Sequence, residues 1–215
     1  MFPVLSLTRS VQRPDIRAPI YNVTKLASDQ IAPGYWFVTP YTDLGAFPDR
    51  KEYTPNQVGP HIYDGDGNLV WSGAYVDGNR NTHDFRTYQV GNKTYISYIS
   101  SEVSERHQEL GNGSYVLMDD TYTKIRVIPP YNNDVTNIHE FQVFDEGRKA
   151  LMFAYHRNVT FNDTMGFHGT GYINDCLLEI DTATGEKDFE WCALNDGISP
   201  KEGVADHYRD VLYVL

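Results

Sequence analysis

The sequence predicts an all-β chain built from repeated hairpins, and three observations carry that prediction. One hairpin is written three times. Residues 62–71, 117–127 and 178–191 each run from an apolar strand into an Asp/Gly/Thr turn and out into a second strand. The aspartates that open the turns, Asp64, Asp119 and Asp181, lie 55 and 62 residues apart. A second pattern repeats at a similar offset: His83-Asp84-Phe85 and His139-Glu140-Phe141 are 56 residues apart. No segment carries apolar residues at helical spacing over a useful length. A strand-only repeat of this period predicts four-stranded units, each a His-acid-Phe hairpin followed by an Asp-turn hairpin. Such units read as the blades of a β-propeller.

Each element follows from local chemistry. Residues 1–20 are rich in Pro and Arg without a period, and are expected to form an extended arm or leader remnant. Residues 21–215 are expected to form a partial propeller domain. Residues 35–41 make a short aromatic strand after the turn Ala32-Pro33-Gly34. Residues 42–59 read as a polar loop, and the first repeated hairpin follows. Residues 84–90 and 94–99 alternate in character and are joined by Gly91-Asn92, a hairpin signature. Residues 101–113 are charged and read as a loop or one helical turn. The second repeated hairpin comes next. Residues 138–144 and 149–155 then pair about Asp145-Glu146-Gly147. Cys176 and Cys192 flank the third repeated hairpin. Antiparallel pairing puts them opposite or one step off register. A cross-hairpin disulfide and two separate thiols are both open at this point.

Composition narrows the function classes. At 215 residues, with 40% hydrophobic content and 16 Tyr, the chain suits an ordered core. A net charge of −11 with no basic stripe argues against nucleic acid, and reads first as solubility. No apolar run approaches the ~20 residues of a membrane helix. Asn-X-Ser/Thr sequons at Asn22, Asn92, Asn112, Asn158 and Asn162 fit a secreted glycoprotein. The first nine residues lack the basic start of a signal peptide, which leaves a lost true start or a cytosolic protein, and the expectation is the former, with the secretory pathway. There is no Cys-X-X-Cys motif and no helix-spaced His pair, so no metal is expected. Asp64-Gly65-Asp66-Gly67-Asn68 resembles half a calcium loop but lacks the distal Glu, and reads as turn chemistry. A Gly-rich phosphate loop and a nucleophile elbow are both missing, and no cofactor is expected.

Several segments carry a family resemblance. They are Arg13-Pro14-Asp15-Ile16-Arg17-Ala18-Pro19, Ala32-Pro33-Gly34-Tyr35-Trp36-Phe37-Val38, Gly59-Pro60-His61-Ile62-Tyr63-Asp64, Leu69-Val70-Trp71-Ser72-Gly73, Ile138-His139-Glu140-Phe141, residues 179–186, and Phe189-Glu190-Trp191. Over roughly residues 13–194 they resemble, in order, the fungal branch of the arylsulfotransferase (ASST) family of six-bladed propellers. The resemblance implies sulfuryl transfer from a phenolic sulfate ester to a phenol, without a nucleotide sulfate donor. The carrier would be a transiently sulfated channel histidine. Neutral imidazole is a competent nucleophile, and the sulfate oxygens need fixed donors.

On that resemblance His139, at the entrance of an inner strand, is the first catalytic candidate. His83, at the same place one unit earlier, is the second. His156 and Arg157 are candidates for binding the sulfate at the channel rim, Arg157 as a bidentate clamp. Asp84 and Glu140 sit beside the histidines, but alternation turns neighbours on a strand to opposite faces. His61 is expected to be structural and His168 solvated. Family members continue past Phe-Glu-Trp into a His closely followed by Asn-Ser, then further blades. Here Cys192-Ala193-Leu194-Asn195 follows, and His207 lacks that context. The expectation is therefore about three blades of an incomplete ring, inactive as this chain alone. Its open blade edges would favour aggregation or self-association. The rival expectations are a non-catalytic module that binds aromatic or glycan ligands on Tyr/Trp-rich strands, and a gene-model fragment without activity.

Overall fold

A computed structural model of the chain describes residues 15–26, 31–41, 57–101, 110–111, 113–131, 135–156, 171–193, 195–196, 204–206 and 211–214. These residues form three β-sheets, and no α-helix occurs among them. The first sheet contains β1 (Trp36–Val38), β2 (His61–Tyr63) and β3 (Leu69–Ser72), in that order. Then come β4 (Asn81–Val90), β5 (Lys93–Ser101), β6 (Leu110–Gly111), β7 (Gly113–Met118) and β8 (Lys124–Ile128). The middle sheet has the order β4-β5-β7-β8, antiparallel throughout. That is the expected four-stranded unit, a His-acid-Phe hairpin followed by an Asp-turn hairpin.

The third sheet repeats the plan with β9 (Val135–Phe144), β10 (Lys149–His156), β11 (Gly171–Asp181) and β12 (Lys187–Cys192). It is extended at both edges. β6 pairs with β9, so the segment expected as loop contributes two residues of strand. β13 (Val204–Asp206) and β14 (Val211–Val214) pair with each other, and β14 runs parallel to the start of β11. The first sheet departs from the four-strand expectation. Its Asp-turn hairpin, β2-β3, matches β7-β8 and β11-β12, and β1 takes the place of β5 and β10. Among the described residues nothing in that sheet corresponds to β4 or β9.

Strand alternation explains the packing. Residues 96–101 of β5 are all buried, as is β7 apart from the half-buried Ser114, because both faces of the middle sheet are covered. Ile96, Tyr98, Val116 and Met118 point to one side and meet Ile62, Phe37 and Trp71 of the first sheet. Ile99, Tyr115 and Leu117 point to the other and meet Phe141, Met152, Leu178 and Ile180 of the third. The ring of Tyr115 lies 4.7 Å from that of Phe141 across this interface. Each such buried side chain contributes on the order of 1.5–3 kcal/mol. Cys176 and Cys192 are register partners with Cα atoms 4.1 Å apart, and they form a disulfide buried in the same interface.

The two outer faces differ. The far face of the first sheet is covered by the chain's own N-terminal segment, residues 15–26. Tyr63 donates its hydroxyl to the Pro19 carbonyl at 2.6 Å, and Tyr21 packs edge-on against the Tyr63 ring. Gly67 lies under this segment with φ +83, and a Cβ there would strike Val23 at 2.8 Å. On the far face of the third sheet, Phe153, Leu177 and Trp191 form one cross-strand row. Phe153 and Trp191 are more than one-third exposed, and nearby Phe189 is half-exposed.

Candidate functional site

The two His-acid-Phe strands, β4 and β9, come together across the interface between the middle and third sheets. Their acids fasten the junction. The ladder between β4 and β5 slips between His83 and Arg86. At that bulge Asp84 takes a left-handed conformation, φ 48. A non-glycine residue held there stores strain of order 1–3 kcal/mol. Asp84 is kept in place by its partners: its carboxylate accepts the Phe141 backbone N–H and binds the Arg86 guanidinium. Arg86 also reaches Glu140 at 3.0 Å. The acids of both motifs thus converge on one arginine and bind strand to strand. Burial pushes the Asp84 carboxyl up, while the Phe141 N–H and Arg86 pull it down.

The histidines of the same motifs lie near one another. His83 is half-buried and its imidazole is pushed down to about 4, first by burial and then by the nearby His139. It is therefore neutral at physiological pH. The Tyr41 ring lies 6.2 Å from the His83 ring. His139 is exposed on β9. Its backbone N–H donates to Asn137 Oδ1 at 2.8 Å, and its Nδ1 lies 3.0 Å from the same oxygen. Because that oxygen accepts the backbone N–H, the amide orientation is fixed. Nδ1 must then carry a proton and donate it, so in the neutral form of the ring the lone pair lies on Nε2. Asn137 is itself buried. Neither Asn137 nor Tyr41 belongs to the repeated motifs of the sequence. A polar residue two positions before a strand histidine shares its face, and that spacing was the available signal for Asn137.

The remaining candidates lie elsewhere. His156 ends β10 opposite Asn174, and Arg157 falls outside the described residues, as do His168 and His207. His61 is fully buried in the first sheet, and neither ring nitrogen makes a well-directed hydrogen bond among the described residues. Burial holds it down to about 4, opposed weakly by the Gln57 backbone. Of the sequons, Asn22 and Asn92 are exposed; Asn112, Asn158 and Asn162 are outside the described residues. Donor atoms of Cys176, Glu190 and Cys192 lie within 4.8 Å of one another, but the disulfide engages both sulfurs and leaves no thiolate for a metal. No described helix is long and apolar enough to cross a membrane.

A scan against family models and searches of curated proteins and solved structures find no match to this chain. The chemistry is read from the geometry. A solvent-facing imidazole whose neutral form keeps the Nε2 lone pair is a nucleophile or a hydrogen-bond acceptor. A second, neutral imidazole stands beside it.

Proposed function

We propose that the three sheets are successive blades of an arylsulfotransferase-like propeller, and that His139 accepts the sulfuryl group of an aryl sulfate. Nε2 of His139 attacks sulfur, the N–S bond forms, and the S–O(aryl) bond breaks. The phenolate leaves and takes a proton from solvent. An acceptor phenol then attacks the sulfur and loses its proton to solvent, and the N–S bond breaks to restore the imidazole. Asn137 positions the ring and sets its tautomer, and His83 stays neutral beside it. The carrying observation is the double acceptance by Asn137 Oδ1, which leaves Nε2 as the reactive nitrogen.

The test is release of p-nitrophenol from p-nitrophenyl sulfate, with a second phenol as acceptor. The expected result is release that His139→Ala abolishes, with a sulfuryl label recovered on His139. One observation favours a second reading, a binding module that holds aryl sulfates without turnover. Arg86, beside the His83 motif, is already engaged by Asp84 and Glu140 and is not poised for developing sulfate charge. Saturable binding of the ester without phenol release would select that reading, and matches the inactivity expected of the chain alone. Neither binding nor release would overturn both.

A further inference from the structure

The hairpin of β11 and β12 carries a group of side chains that the histidine chemistry does not use. Cys176 and Cys192 are register partners, so their side chains stand side by side on the face that meets the middle sheet. Glu190 lies two residues before Cys192 on β12, and alternation puts it on the same face. The donor atoms of all three lie within 4.8 Å of one another. The row of the two cysteines continues into Ala154 of β10, whose side chain is a single methyl and adds little bulk there.

As a disulfide the pair offers no ligand. As two thiols, the state of a chain folded in a reducing compartment, it offers two. A tetrahedral zinc ion holds thiolate sulfur at about 2.3 Å and carboxylate oxygen at about 2.0–2.2 Å, which sets its ligand atoms roughly 3.5–3.8 Å apart. The three donors are already gathered to nearly that spacing, and an antiparallel ladder rather than a loop gathers them. The cysteines are 0% and 1% exposed. Thiolates buried that deeply need a cation beside them. Lys187 is committed to Glu190, with its Nζ 2.6 Å from Oε2. The carboxylate keeps a second oxygen that can turn to a metal. An entry path exists on that side: the Glu190 side chain is 28% exposed, and among the described residues β12 pairs only with β11.

We propose that the chain with both cysteines reduced binds one zinc ion through Cys176, Cys192 and Glu190. Two S–H bonds break, two Zn–S bonds form, and the two protons leave to solvent. The carboxylate supplies the third ligand, with Lys187 as its hydrogen-bond partner. The fourth tetrahedral position is left to water. Soft sulfur ligands favour zinc over calcium or magnesium. The hairpin thus has two alternative staples at one place, a sulfur–sulfur bond or a metal ion, and the redox state of the cysteines selects between them.

The experiment is a titration of the full chain, purified and kept under a phosphine reductant, with the oxidised chain in parallel. Cobalt(II) serves as the coloured probe and zinc as its competitor. The reduced chain should take up one cobalt ion with thiolate-to-cobalt absorption, and zinc should displace it; the oxidised chain should show neither. Glu190→Gln should weaken zinc at least about tenfold, since even the outer partners of metal ligands are worth that much. Zinc should also raise the melting temperature of the reduced chain, because it binds the folded state. If the reduced chain does not fold by itself, zinc should restore its β-sheet circular dichroism. No stoichiometric uptake by the reduced chain, equal uptake by the oxidised chain, an unchanged affinity in the Glu190 variant, or a reduced chain that zinc neither stabilises nor refolds would each overturn the proposal.

Discussion

Asp175 shows what one buried carboxyl does to stability. It lies on β11 beside the disulfide, and its Oδ1 is buried without a hydrogen bond among the described residues. Burial alone pushes its carboxyl up to about 6 from the ordinary 3.8. The folded state therefore holds this proton more tightly than the unfolded state. The resulting stability is complete below pH 3.8 and is lost as pH rises through 6. At neutral pH the fold carries a charge it has not compensated. Asp175→Asn removes the charge and keeps the shape. It should raise the melting temperature at pH 7 and lose that advantage near pH 4, as read by thermal scans at the two pH values. A substitution that destabilises equally at both would show that the carboxylate has a partner the geometry does not reveal.

At the scale of elements, one device recurs. Asp119 Oδ1 accepts from the backbone N–H groups of Thr121 and Thr123 at 2.9 and 3.0 Å. Asp181 does the same for Ala183 and Thr184, and Asp64 for Asp66 and Asn68. Each carboxyl is held below its ordinary value: Asp64 and Asp119 first by a side-chain bond from the same turn and then by these backbone bonds, Asp181 first by the Thr184 backbone N–H. Their stabilisation is present above the unfolded pKa and is lost as pH falls through the lower folded value. Asp119→Ala should lower the melting temperature at pH 7, and Asp119→Asn should lower it less, because an amide oxygen still accepts. Equal losses would mean that charge, not acceptance, closes the turn. This device was legible in the sequence because it is local: a short acceptor, fixed offsets and a Gly or Thr partner specify it within five residues. Strand alternation likewise marked the four-strand order and put Cys176 opposite Cys192 or one step off register, and the structure selects the first. The His-acid-Phe repeat marked β4 and β9 for the same reason. The bulge at Asp84 and its grip on the Phe141 N–H were not legible. They join residues 57 apart, and alternation predicts an acid on the opposite face unless the ladder slips.

Across the whole molecule, the sheets form a stack with unequal ends. The middle sheet is covered on both faces, and the far face of the third retains the half-exposed Phe189. The far face of the first is sealed by residues 15–26, which are not a strand and rely on specific anchors. Gln57 holds the segment from both directions: it accepts the Arg17 N–H at 2.6 Å and donates to the Asp15 carbonyl at 3.1 Å. The Tyr75 hydroxyl binds the same Asp15 carbonyl, and Tyr63 binds Pro19. Without this cover, the almost wholly buried Tyr63 would lose its contacts with Pro19 and Tyr21 and face water. Burial of a single aromatic side chain contributes on the order of 1.5–3 kcal/mol, a large share of the margin of a small domain. Deleting residues 1–26 should therefore lower the melting temperature and raise binding of a hydrophobic dye, with the disulfide at the opposite end of the stack still formed. Tyr63→Phe isolates the hydroxyl anchor and should cost about 1 kcal/mol without dye binding. If the deletion leaves melting and dye binding unchanged, the segment merely lies on the surface, and the first sheet is stable on the packing of Phe37, Ile62 and Trp71 alone.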